Sequence, residues 1–167
     1  MIKLKNFNII FCLLLILWMA FIFLMSMQPA EQSSQLSGGI VSKLIAALFH
    51  NFDSLSLQQQ VDMTNTITFI VRKLAHFSEY FILGVLAYLA IPISKSNVRY
   101  ITAFVICVLY AVGDEIHQYF VPGRACRMLD VCIDTMGILV ALLVIFVLLN
   151  VSKRRKLGEI NAKKETY

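Results

Sequence analysis

Arg72, His76 and Glu79 stand four and three residues apart, with Lys73 beside the first of them and Leu83 four beyond the last. On an α-helix those steps put a guanidinium, an imidazole and a carboxylate on one stripe. Asp114, His117 and Gln118 repeat the pattern, with Glu115 alongside, and Asp130, Asp134, Gly137 and Ala141 form a third stripe. Between the last two stripes, Pro122 and Gly123 predict a tight turn that aims Arg124 back at these groups, with Arg127 close behind. Guanidinium groups bind phosphate or carboxylate through paired hydrogen bonds. Imidazole can act as acid or base, but it serves equally as a hydrogen-bond donor, so no metal is assigned and no cofactor is expected.

The cysteines add no further chemistry. Cys12 and Cys107 fall inside apolar runs, and Cys126 and Cys132 lack a CxxC spacing. A bridge between the last two is conceivable at their separation, but all four read as packing residues rather than zinc ligands.

The elements that must position these side chains follow from composition. The 167 residues are 59% hydrophobic and 15% charged, with a mean hydropathy of +0.75. Soluble domains run near 25% charged, so one water-soluble core cannot hide this much apolar surface and the bilayer must act as solvent. The net charge of +5 does not point to nucleic acid, because the basic residues gather at the ends of apolar runs and in Lys153, Arg154, Arg155 and Lys156.

A helix needs about 20 apolar residues to cross the hydrocarbon core. Four runs approach that length: 7–27, 73–93, 100–120 and 129–151. The first is long for a signal peptide and Ser26, Met27, Gln28 and Pro29 provide no cleavage site, so it reads as an uncleaved anchor. The expected fold is all-α: a polytopic four-transmembrane-helix bundle over residues 1–152, followed by a flexible basic cytoplasmic tail at 153–167. In the first connection Leu36, Ile40, Val41, Leu44, Ile45 and Leu48 recur at helical spacing. They predict an amphipathic helix that lies on the outer leaflet or folds back as a lid over the bundle. Gln58–Thr68 is polar enough to predict a loop or an interfacial turn.

The N-terminus, the loop 94–99 and the tail hold ten Lys and Arg, including Lys3, Lys5 and Lys95, against five on the opposite side. Both termini are therefore expected in the cytoplasm of a cell-membrane protein. At about 1.5 Å per residue, Glu79 and Asp114 each lie about 9 Å below the outer boundary and Asp134 lies near it, so three spans place their polar groups in one outer band. A charge at the centre of a span costs about 2.5–3.5 kcal/mol, and the expected compensation is pairing of Arg72, Lys73, Arg124 and Arg127 with the carboxylates. The same pairing could serve only to hold four helices in register.

At these residues the chain resembles the VanZ-like family of bacterial membrane proteins. The likeness rests on Arg72-Lys73, His76-Phe77, Glu79-Tyr80 and Leu83-Gly84; on Asp114-Glu115, His117-Gln118 and Phe120-Val121-Pro122-Gly123-Arg124; and on Asp130, Asp134 and Gly137. Phe21–Leu24 with Ser26, Gln28 and Pro29 is similar to the family's opening segment. Ala141 stands where the family often has a second glycine, a departure that slightly weakens the case for close helix approach there and touches no polar group. The resemblance implies a four-helix envelope protein of a family whose founding member gives low-level teicoplanin resistance.

Three functions fit these residues. The first is binding of an anionic lipid headgroup, a lipid-linked cell-wall precursor or a lipoglycopeptide at the outer leaflet, with membrane lipids as partners. The second is an intramembrane enzyme with His76 or His117 as acid or base, although no nucleophile elbow, HExxH or lipid-phosphatase pattern is present. The third is a scaffold for other envelope proteins. The topology has a direct test: an unbridged Cys126 should react with an impermeant thiol reagent in intact cells. Labelling of a cysteine placed at Ser94, with none at Ser33, overturns the arrangement.

Overall fold

The computed structural model describes residues 2–92 and 96–165, and the side chains of 2–7, 36, 159, 160 and 162–165 fall outside the description. Ile93, Ser94 and Lys95 therefore lie outside the described residues, as do the side chains of Lys3, Lys5, Phe7, Leu36, Lys163 and Lys164, all of which entered the expectations above. The elements in chain order are α1 (Ile2–Ser26), α2 (Ala30–Leu48), a 3₁₀ turn (Phe52–Ser54), α3 (Leu57–Ala90), α4 (Ser96–Gln118) and α5 (Met128–Glu165).

Proline sets two of the boundaries. Pro29 disfavours helical geometry at Gln28 and so separates α1 from α2, and Pro92 follows the end of α3 in the same way. The start of α3 departs from expectation: Gln58–Thr68 is helix, not loop. Ser56 and Gln59 form a capping box, in which Gln59 N donates to Ser56 Oγ and Ser56 N donates to Gln59 Oε1. The hydroxyls of Thr64, Thr66 and Thr68 donate to carbonyls four residues back, so these polar side chains are satisfied within the helix.

The basic tail is also helical, since α5 continues to Glu165. Its Lys, Arg, Leu and Glu residues are good helix formers, and extending an existing helix avoids a new nucleation cost.

Three helical segments are long and apolar enough to cross a membrane: Asn8–Ser26, Ser96–Gln118 and Met128–Gly158. Their outward residues stay exposed, as at Leu13, Leu17 and Leu24 of α1 and Leu143 and Leu148 of α5. These segments make the chain a membrane protein. The fourth expected span, residues 73–93, coincides with α3 as far as Ala90, and there Lys73, His76 and Glu79 dilute the apolar run. Instead α3 is central to the bundle and packs against α1, α2, α4 and α5. It buries Tyr80, Leu83, Gly84, Ala87 and Tyr88.

Small residues let the helices approach. Along α4, Ala103, Cys107 and Ala111 step by four on the face that meets the core. On α5, a Cβ added to Gly137 would collide with the carbonyl oxygen of Phe77 in α3. Close approach is kept at Ala141: this residue is fully buried, and a Cβ on Gly84 would lie 3.1 Å from its methyl. Trp18 Nε1 donates to the Glu79 carbonyl at 2.9 Å and Tyr110 Oη to the Met19 carbonyl at 2.6 Å, which fixes α1 to α3 and α4. The four cysteines are free thiols, Cys126 and Cys132 among them.

The Gly137 contact is testable. Gly137→Ala must push backbone away from backbone and should destabilise the protein by about 1–3 kcal/mol in a detergent melting assay. Gly113→Ala, on α4 with no atom within 4 Å of the added carbon, should be neutral or slightly stabilising. Equal melting temperatures for the two variants would refute the close approach.

Candidate functional site

The seam between α3 and α5 sets two contacts to carboxylates one helical turn apart. Lys73 Nζ pairs with Asp130 Oδ1, and the ammonium also lies 5.1 Å from the centre of the Phe69 ring. His76 Nδ1 faces Asp134 Oδ1 at 3.6 Å, with the Asp134 side chain fully buried. Neither Asp134 oxygen has a hydrogen-bond partner among the described residues.

A second polar group joins α1 to α4. Ser26 Oγ donates to Asp114 Oδ2 at 2.7 Å, and Gln118 Nε2 donates to Asp114 Oδ2 at 3.1 Å and to Ser26 Oγ at 3.2 Å. Asp114, Glu115 and Gln118 are all buried. Glu115 Oε2 accepts from the backbone N–H of Arg127 at 2.9 Å, which ties α4 to the chain that leads into α5.

Between α4 and α5 the predicted turn is present. Arg124 N donates to the Val121 carbonyl at 3.1 Å, and Gly123 has φ of 75°. With Pro122 before it, this is a type II turn, whose third residue needs positive φ and therefore favours glycine. The turn is clamped to the α1–α2 junction by Ala30 N donating to the Pro122 carbonyl at 3.3 Å. Arg124 completes the clamp: its Nε donates to the Gln28 carbonyl at 2.9 Å and its Nη2 to the Met25 carbonyl at 3.2 Å. Burial first, and then the charge of Arg72, lower the Arg124 pKa from its usual value, while Asp114, Glu115 and Glu79 raise it.

Two expectations change at this point. Of the four outer cations, Lys73 alone forms an ion pair with a carboxylate among the described residues; Arg124 serves backbone carbonyls, and Arg127 reaches Glu115 through its backbone. Full pairing fails because Asp114 and Glu115 are bound by Ser26, Gln118 and a backbone amide instead. His117 turns aside to the Phe23 ring of α1, 4.6 Å between centroids, with Nδ1 buried and no hydrogen-bond partner among the described residues.

Two adjoining cavities open onto this cluster. The first, about 310 Å³, is lined by Arg72, Lys73, His76, Arg124, Arg127 and Asp130, so four cations face one carboxylate. The second, about 190 Å³, shares Arg72, His76 and Arg124, adds Glu79, and has Met25, Ile40, Val71 and Ala75 as apolar lining. Helix α2 forms one wall through Ser33, Ser37 and Ile40. Its Val41 and Ile45 are buried, whereas Ile40 and Leu48 remain exposed, so α2 folds over the cluster and still presents apolar surface outward. Among the described residues, no group of three or more His, Cys, Asp or Glu is placed to hold a metal ion.

Ser26 and Tyr80 were not among the predicted site residues, although both lie in the segments of family resemblance. Ser26 is buried on Asp114, and the buried Tyr80 hydroxyl has no hydrogen-bond partner among the described residues. A serine closing an apolar run was the one available signal for the former.

The family model VanZ/LLP1 matches residues 11–150, a stretch that contains every residue of the two cavities. No curated protein and no solved structure matches the chain.

The Lys73–Asp130 pair gives a quantitative expectation. Lys73→Ala and Asp130→Ala should each lower the melting temperature in detergent. The double variant should lose less than the sum, with a coupling of about 0.5–3 kcal/mol. Strict additivity would mean that the two charges do not sense each other.

Proposed function

The chain belongs to the VanZ/LLP1 family of membrane proteins, and from that premise we propose that it binds an anionic, lipid-linked ligand at the outer leaflet of the cell membrane. The supporting observation is the charge imbalance of the first cavity, four cations against Asp130, beside a smaller chamber with apolar lining. Arg72 lines both and has no carboxylate partner among the described residues. A guanidinium in that position suits a phosphate or carboxylate headgroup, and the second chamber suits the first methylenes of its tail.

In this reading α3 is the fourth span, from Lys73 to Ala90, and its polar face is turned to protein rather than to lipid. At about 1.5 Å per residue, the 34 residues of α3 reach about 50 Å, well beyond a hydrocarbon core of about 30 Å. Its first half therefore stands outside the membrane with α2, and both termini of the chain are cytoplasmic, in keeping with the distribution of Lys and Arg.

A ligand with a charged head and an acyl tail in the outer leaflet has the chemistry of a lipoglycopeptide such as teicoplanin or of a lipid-linked wall precursor. Vancomycin lacks such a tail. Expression in a sensitive Gram-positive host should raise tolerance to teicoplanin more than to vancomycin. Arg72→Gln should remove the gain at unchanged membrane abundance. Arg124 is a weaker probe because its clamp on Met25 and Gln28 makes its loss structural. Full protection by Arg72→Gln would sink the binding assignment.

A further inference from the structure

The binding reading leaves the contact between His76 and Asp134 without a purpose, since a cationic cavity needs no oriented imidazole. Nδ1 of His76 is buried beside Asp134, and the ring lines both cavities. With Nδ1 buried at Asp134, Nε2 is the ring nitrogen left for a ligand. A carboxylate at Nδ1 selects the Nδ1–H tautomer and leaves the Nε2 lone pair free to accept a proton. The 3.6 Å separation is longer than a hydrogen bond, and such contacts commonly tighten when a ligand closes the site. Arg72, Lys73, Arg124 and Arg127 supply positive charge where a phosphoryl group would gain negative charge during displacement.

We propose that the site hydrolyses the terminal phosphoanhydride of a lipid diphosphate, with His76 as general base and Asp134 as its positioning residue. This rests on the reading that the cationic cavity takes a lipid-linked anion. Four cations against one carboxylate suit the multiple charges of a diphosphate better than a single carboxylate headgroup. Water attacks the terminal phosphorus as His76 Nε2 takes one of its protons. The bond from that phosphorus to the bridging oxygen breaks, and the electron pair leaves with the lipid monophosphate. The proton held on His76 then passes to a phosphate oxygen of the products, which are lipid monophosphate and inorganic phosphate. No oxidant, reductant or co-substrate other than water enters the balance.

The test uses the full chain in proteoliposomes with two probes that carry the same diphosphate on different tails: a polyprenyl diphosphate and a diacylglycerol diphosphate. Inorganic phosphate release is measured beside binding of each probe to the purified protein. The expected result is catalytic release from at least one probe, with the faster tail identifying the lipid class. His76→Gln should lose about 100-fold or more of the turnover, a loss larger than any change in its binding of the probe. Asp134→Asn should lower kcat with little change in KM, and its melting temperature, measured beside that of His76→Gln, separates lost chemistry from lost folding. Binding of both probes without phosphate release overturns hydrolysis and leaves the binding reading intact. Failure to bind either probe overturns both. Release that survives His76→Gln removes this residue from the chemistry and overturns the proposal.

Discussion

At Gly137 the backbones of α5 and α3 meet so closely that no side chain fits between them, and the rest of the structure depends on that contact. It lies one turn from Asp134 and two from Asp130, so it fixes which carboxylate meets His76 and which meets Lys73. Gly84 and Ala141 continue the same seam away from the cluster, where the methyl on one helix fills the space left by the glycine on the other. Helix packing inside a bilayer gains little from the hydrophobic effect, because lipid tails are as apolar as leucine. Small residues that bring backbones together, and hydrogen bonds such as those of Trp18 and Tyr110, must carry the association.

Around this seam the polar groups divide by task. Asp114 and Glu115 are consumed within the protein, one by Ser26 and Gln118, the other by the amide of Arg127. Arg124 closes the α1–α2 junction against the α4–α5 turn by binding the Met25 and Gln28 carbonyls at and just beyond the end of α1. What remains for a ligand is Arg72, the spare capacity of Arg124 and Arg127, and the imidazole of His76, all at the walls of two connected cavities. The cost of placing charge near a membrane is thus offset in part by internal bonds to one oxygen each of Asp114 and Glu115. For Arg72, a bound anion would supply the compensation.

Much of this was legible in the chain. Steps of three and four placed Arg72, His76 and Glu79 on one stripe and Asp130, Asp134 and Gly137 on another, and the two stripes do meet. Pro122 and Gly123 announced their turn because a type II turn demands those residue types. The targets of Arg124 were not legible, since backbone carbonyls carry no residue type to read. Ser26 and Asp114 lie 88 positions apart, and a serine at the end of an apolar run has many uses. Helix at Gln58–Thr68 was not legible in its polar composition, because its signal is the Ser56–Gln59 cap that starts it. That extension brings Asn65 and Thr68 into the lining of the first cavity.

Native mass spectrometry of the protein purified gently from bacterial membranes shows whether the cationic cavity holds a lipid-linked anion. A bound phosphate-bearing lipid is expected on the parent protein and its loss, with the fold intact, in Arg72→Gln. The same lipid at the same occupancy in both proteins, or no anionic lipid on the parent, would contradict it.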